Sequence, residues 1–216
     1  MTTANRIKGV LSPVVTPFKA DYSHDKERFV AHCQWLISQN CGLAVFGTNS
    51  EANSLASEER MNLLDAVVAA GVDTSRMMPG TGCCSITETV RITSHAVKHG
   101  CAGVLMLPPF YYKGVSEEGL YRHYSEVIQR VADARLRIYL YHIPPVAVVG
   151  ITPGLAGGGL RDDIVRHYAK SLAAAGHRIT PDHLSLALNA YVADSKAQAV
   201  REVGPYHLYF NKTLFS

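Results

Sequence analysis

The run Gly47-Thr48-Asn49-Ser50-Glu51 places hydroxyls, an amide and backbone N–H groups directly after an apolar stretch, residues 42–46. A turn of this kind at a strand end can hold a carboxylate or a phosphate, or it can be a turn leading into the next helix. A second cluster, Pro108-Pro109-Phe110-Tyr111-Tyr112-Lys113, offers two phenols and an amine, or aromatic packing alone. A third, Tyr141-His142-Ile143-Pro144-Pro145, ends another apolar run on a tyrosine that can relay a proton or sit in the core.

Three other patterns carry less chemistry. His95 and His99 lie i, i+4 on a helix and can face one ion. No acid stands beside them in sequence, so a solvated helix face is expected and no metal site. Gly80-Thr81-Gly82 is too short for a dinucleotide fingerprint. The five cysteines, at 33, 41, 83, 84 and 101, form no CxxC pair and read as buried small hydrophobes.

The elements that would position these groups alternate along the first two thirds of the chain. Residues 9–18 read as a strand entering a proline-punctuated loop. Residues 25–39 put Phe29, Val30, Cys33, Leu36 and Ile37 at helical spacing. A strand over 42–46 leads through the polar turn to a helix capped by Ser57, with Glu58 and Glu59 in its first turn and Met61, Leu64, Val67 and Val68 on its inner stripe. Residues 77–82 form a third strand and loop. Ser85 and Glu88 make a capping box for a helix to about His99. Strands over 102–107 and 137–141 flank a helix from Ser116 to about Val131. Near-continuous apolar strands alternating with helices predict a parallel sheet covered on both faces, in a barrel or a doubly wound architecture. Either one puts its site at the strands' C-terminal ends, where the three clusters fall.

After Gly150 the texture changes, with five glycines between 150 and 159. The expected organisation is a first domain over 1–152, a Gly-rich linker over 153–160 and a tail over 161–216. In the tail, residues 161–175 and 194–203 read as helices and 183–193 as a strand. The chain has 216 residues, 47% of them hydrophobic and 18% charged, enough for a sizeable core. A net charge of +3, evenly spread, argues against nucleic acid or an anionic membrane as partner. No apolar run approaches a membrane span, and MTTANRIKGV lacks a signal peptide's apolar core, so a cytoplasmic location is expected.

The segments VLSPVVTPF, GLAVFGTNSEANSL, SEERMNLLDAVV, MPGTG, GVLMLPPFYYKGVSEEGLYRHY and IYLYHIPP, in this order and spacing, resemble the dihydrodipicolinate synthase / N-acetylneuraminate lyase family of class I aldolases over residues from about 7 to 152. The resemblance implies a (β/α)₈ TIM barrel and an oligomer of identical chains. It also implies a lyase that joins a strand-six lysine to pyruvate or a related 2-oxo acid as a Schiff base, without metal or organic cofactor. Carried over residue by residue, it makes Gly47, Thr48 and Asn49 the substrate-carboxylate clamp. Tyr141 becomes the proton-shuttling tyrosine, and Tyr112 the tyrosine lent across a dimer to the proton relay. Asn49 replaces a usual hydroxyl, Ser50 stands where glycine is common, and Val146 falls where the synthases use an arginine. These departures point to a relative acting on another substrate.

The family's lysine is expected in a strand reading roughly G-I-K-[DE], some thirty residues after the tyrosine strand. Lys170 lies at about that distance, in the helical, polar setting RHYAKSLAAAG, and is not assigned the role. A nucleophilic lysine has to be desolvated and held beside the carbonyl carbon. Residues from about 160 to 213 resemble instead a fragment of the luciferase-like flavin monooxygenase family, through AAGH and YVADSKAQAVREVGPY. The whole reads as a partial TIM-barrel-like α/β protein, with about five N-terminal βα units and a divergent tail. Three functions are open: an impaired Schiff-base aldolase or lyase, a non-catalytic 2-oxo acid binding module, and a flavin-linked oxidoreductase suggested by the tail.

Overall fold

The computed structural model describes residues 7–141 and, beyond them, residues 166, 169–176, 178, 195, 197, 198 and 200–202. The chain divides into two compact units, Met1–Pro153 and Gly154–Ser216. The linker over 153–160, the strand over 183–193 and most of the residues behind the tail's resemblance lie outside the described residues.

The first unit runs β1 (Leu11–Pro13), α1 (Lys26–Ser38), β2 (Gly42–Ala44), α2 (Ser57–Ala69), α3 (Ile86–Lys98), β3 (Val104–Met106), α4 (Glu117–Val131) and β4 (Ile138–Leu140). β1 pairs parallel with β2, and β3 parallel with β4. The expected third strand forms no regular strand of its own, but it bridges the two pairs. Met77 pairs parallel with Leu43 and Gly80 with Leu105. Met78 N–H donates to the Leu43 carbonyl at 2.8 Å and Leu105 N–H to the Pro79 carbonyl at 2.9 Å. Pro79 has no N–H to add to the ladder, which accounts for the interruption. The spatial order therefore follows the chain: β1, β2, the 77–81 segment, β3, β4.

Helices lie against this sheet because their stripes match it. Phe29, Cys33 and Leu36 of α1 are buried with Leu43 and Val45, and Leu63, Leu64 and Val67 of α2 with Met77. The inner stripe of α2 is rotated from the expected one. Leu63 and Arg60 are buried, whereas Met61 and Val68 are only half-buried. Its cap also differs. Ala56, not Ser57, is the N-cap, and the Glu59 carboxylate reaches back to accept from Ala56 N–H at 2.8 Å. Alanine has no side-chain acceptor, so only the glutamate half of a capping box is present. Ser85 and Ser116 cap α3 and α4 as expected.

The cysteines are less uniform than expected. All five are free, Cys33 is buried and the other four half-buried. Burial pushes the Cys33 and Cys101 thiols up to about 12. Cys83 Sγ accepts from the buried Arg60 at 2.8 Å. In the second unit, residues 169–174 are helical and Gly176 follows with φ 75°, a glycine in the left-handed conformation that ends a helix.

Candidate functional site at the strand ends

The sheet's C-terminal rim is shaped by backbone that approaches unusually closely. A Cβ on Gly80 would lie 1.9 Å from the Phe46 carbonyl oxygen, and one on Gly82 would lie 2.6 Å from the Leu107 backbone. Only glycine fits at either position. The Gly80-Thr81-Gly82 run is therefore a packing device, and Thr81 between the two is fully buried and accepts from Thr93 at 3.0 Å.

Phe46 turns the chain at the end of β2. Its φ of 59° lies in the left-handed region, at a cost of about 1–3 kcal/mol for a residue with a side chain. Packing holds it there: the ring is 3% exposed and stacks on Phe29 with centroids 5.7 Å apart. The turn carries residues 48–50 back across the rim as one turn of 3₁₀ helix. Ser50, fully buried, ties this turn to β1. Its hydroxyl donates to the Val14 carbonyl, and Thr16 Oγ1 donates to the Ser50 carbonyl at 2.7 Å. Thr16 and Ser50 are thus residues that sequence reasoning did not single out as supports. Their signal was only a small polar residue at each of two strand ends.

A small cavity opens over this rim, lined by Phe46, Gly47, Thr48, Gly80, Gly82, Leu105, Leu107 and Tyr141, with Ala52 and Asn53 at its edge. Thr48 and Tyr141, 93 residues apart in sequence, meet there. The Tyr141 hydroxyl lies 3.4 Å from Thr48 Oγ1, long for a direct hydroxyl pair and short enough for both to serve one small oxygen ligand. Tyr141 is placed by its own N–H, which donates to the Met106 carbonyl at 2.9 Å. Asn49 is exposed and does not line the cavity.

Tyr112 is not brought to this corner within the chain. It is 60% exposed and meets Tyr111 edge-on, ring centroids 5.4 Å apart. His142, Pro144, Pro145 and Val146 lie outside the described residues. Lys8, Lys19, Lys26, Lys98, Lys113 and Lys170 are all exposed. Among the described residues the cavity lining holds no lysine or arginine.

A parallel α/β arrangement in chain order, with a polar corner at the strands' C-terminal ends, defines a mixed α/β protein of the kind that carries its site on βα loops. The dihydrodipicolinate synthetase family model matches residues 6–156, and the chain belongs to that family. A 4-hydroxy-tetrahydrodipicolinate synthase from Brucella suis is 28% identical over 157 residues, which cover 72% of this chain and 52% of that protein. The crystal structure of dihydrodipicolinate synthase from Agrobacterium tumefaciens is 33% identical with a TM-score of 0.61, covering 64% of this chain and 49% of that one. A prophage protein of the same family from Escherichia coli K12, solved in complex with pyruvate, is 31% identical with a TM-score of 0.55, covering 64% and 46%. The chain spans about half the length of the curated relatives it matches. These solved structures are TIM-barrel aldolases of one family, and the first unit shares their mixed α/β fold. No helix among the described residues is long and apolar enough to cross a membrane.

Proposed function

We propose that this chain is a Schiff-base aldolase-family lyase in which the Gly47–Thr48 part of the carboxylate clamp survives and the covalent step does not. The ligand is pyruvate or a related 2-oxo acid. Its carboxylate sits on the Gly47–Thr48 turn, and Tyr141 faces its ketone oxygen. The observation that carries this reading is the convergence of the Thr48 and Tyr141 hydroxyls, 3.4 Å apart, on one cavity at the strand ends. It is supported by the relative that was solved with pyruvate.

In an intact family member a lysine amine adds to the ketone carbon and water leaves. In cleavage the resulting iminium accepts the electron pair of the breaking C–C bond and becomes an enamine. In synthesis it loses a proton from the adjacent carbon to give that enamine, whose electron pair forms the new bond and restores the iminium. That amine has to be neutral, and exposure works against this, because water stabilises the ammonium. Every described lysine is exposed, Lys170 included. The chain's turnover alone is therefore weak or nil. The same exposure favours the second reading, a non-catalytic 2-oxo acid binding module.

The barrel is partial, with about five βα units over 1–152. Val10 and Val15 beside β1 are 69% and 53% exposed, and Leu140 on β4 is 54% exposed, so both ends of the strand order leave apolar surface to cover. A second copy of the chain is the proposed partner for Tyr111 and Tyr112, which are 76% and 60% exposed.

Borohydride trapping with pyruvate, read by intact mass, tests the covalent half. No adduct is expected, and an adduct mapped to any lysine overturns the impairment. Calorimetric titration with pyruvate tests the clamp. Saturable binding that weakens in Tyr141→Phe is expected, and no binding at millimolar pyruvate defeats the proposal.

A further inference from the structure

The outer surface between α2 and α3 holds a second cluster, away from the strand ends. Arg91 and His95 on α3 and His99 at its C-cap follow one another at four-residue spacing and form a stripe along one face. On α2, Glu58 and Asp65 stand seven apart, two turns of helix, and face that stripe. Arg91 pairs with Glu58 at one end. At the other, Asp65 Oδ1 lies 2.8 Å from His95 Nε2 and 2.7 Å from His99 Nε2.

These three atoms are not a satisfied hydrogen-bond set. His99 Nε2 makes a hydrogen bond to Asp65 Oδ1. His95 Nε2 is buried at the atom level and lacks a hydrogen bond, because the same oxygen lies off its N–H direction. The imidazoles meet edge-on, ring centroids 4.6 Å apart. One nitrogen of each ring and one carboxylate oxygen thus lie within 4.8 Å of one another, with Asp65 Oδ1 shared between the two imidazoles. A cation between them satisfies all three at once.

We propose that Asp65, His95 and His99 bind a late first-row divalent cation of the Zn²⁺ class. Two imidazoles and one carboxylate are a donor set such ions favour over Mg²⁺ or Ca²⁺, which take oxygen. Bonds of about 2.0–2.1 Å at tetrahedral angles separate ligand atoms by about 3.3 Å, so the carboxylate retreats roughly half an ångström to admit the ion. The Asp65 side chain is 47% exposed and the imidazoles 23% and 28%, which leaves the fourth position open to water and gives the ion an entry path. The bound ion clamps α2 to α3. The site is independent of the 2-oxo acid pocket and stands or falls without it.

The test uses the full chain, stripped with a chelator and dialysed against Zn²⁺, with bound metal counted by mass spectrometry. Co²⁺ serves as the spectroscopic probe. One equivalent of tightly held Zn²⁺, and a Co²⁺ spectrum of four- or five-coordinate intensity, are expected. His99→Gln, His95→Gln and Asp65→Ala each lose that equivalent. Their affinity falls by at least the ~10–100-fold that loss of an outer-shell partner costs. Cys83→Ser with Cys84→Ser keeps it. Zn²⁺ raises the unfolding temperature of the wild type but not of His99→Gln, a readout that shows each variant is folded before metal is added. Equal metal content in wild type and His99→Gln, or loss of the equivalent with the cysteine pair instead, overturns the site.

Discussion

The strand-end corner and the α2–α3 seam are both places where distant residues meet, but they are built in opposite ways. At the corner, backbone does the positioning. Gly80 and Gly82 let strands close to contact, Phe46 turns the chain at φ 59°, and Ser50 pins the turn through two backbone-directed bonds. Side chains contribute only two hydroxyls at the end. At the seam, two regular helices supply nothing unusual in their backbones, and Asp65, His95 and His99 do all of the work from their faces. Positioning at the corner should therefore be lost together with the fold, leaving only its terminal hydroxyls separable from stability, whereas chemistry at the seam can be removed with little harm to the fold.

The largest expected effect is at Gly80. In Gly80→Ala the new methyl meets the Phe46 carbonyl at 1.9 Å, so two paired segments have to move apart. Overpacking of this kind costs about 1–3 kcal/mol or more, and here it acts on the buried join between the two strand pairs. Denaturant unfolding should show a loss at or above the top of that range, together with loss of pyruvate binding. A near-neutral result would mean that the rim is looser than described and would remove the contrast with the seam.

Ser50→Ala comes next. It strands the Val14 carbonyl in the core and frees the turn that carries Thr48. An unpaired buried polar group costs about 1–3 kcal/mol. Stability and pyruvate affinity are expected to fall together. Tyr141→Phe separates the two quantities. It removes a half-buried hydroxyl whose partner is 3.4 Å away, so stability should change by less than about 1 kcal/mol while binding weakens.

The two regions also differ in how far the sequence reveals them. Gly47, Thr48 and Tyr141 stand out in the sequence because each directly follows an apolar strand, whereas Asn49 and Tyr112, from the same kinds of cluster, do not line the cavity. The alternation of strands and helices is likewise legible, and residues 77–82 differ only in forming no regular strand, since Pro79 interrupts the ladder. The seam was half legible. His95 and His99 are visible at four-residue spacing, but their acid is Asp65, thirty residues upstream on another helix, and only the packing of α2 on α3 brings it within 2.8 Å. The inner stripe of α2 misled for a related reason. Arg60 is charged, yet it is buried with its guanidinium on Cys83, which shifts the buried face round to Leu63.

Without metal, Asp65→Asn should hardly alter stability. The carboxylate is 47% exposed, and exposed pairs contribute about 0–1 kcal/mol. A loss above that range, measured after chelation, would make the seam a structural element like the corner.

The smallest effect concerns a third histidine on a helix face. His123 of α4 has Nε2 buried with no hydrogen-bond partner, and its ring meets Tyr124 edge-on at 5.2 Å. Burial holds its pKa below the ordinary 6.5, because the imidazolium loses water and gains no counter-charge. In the unfolded chain the ring takes up its proton near 6.5; in the folded chain it does so only at lower pH. The unfolded state therefore binds more protons between those two values, and the stability His123 permits is fully present above 6.5 and is lost as pH falls from there toward the folded value. His123→Phe removes the titrating group, and the slope of stability against pH just below 6.5 should flatten by the part His123 supplies. An unchanged slope in His123→Phe would show that the fold does not feel the burial of this unpartnered imidazole.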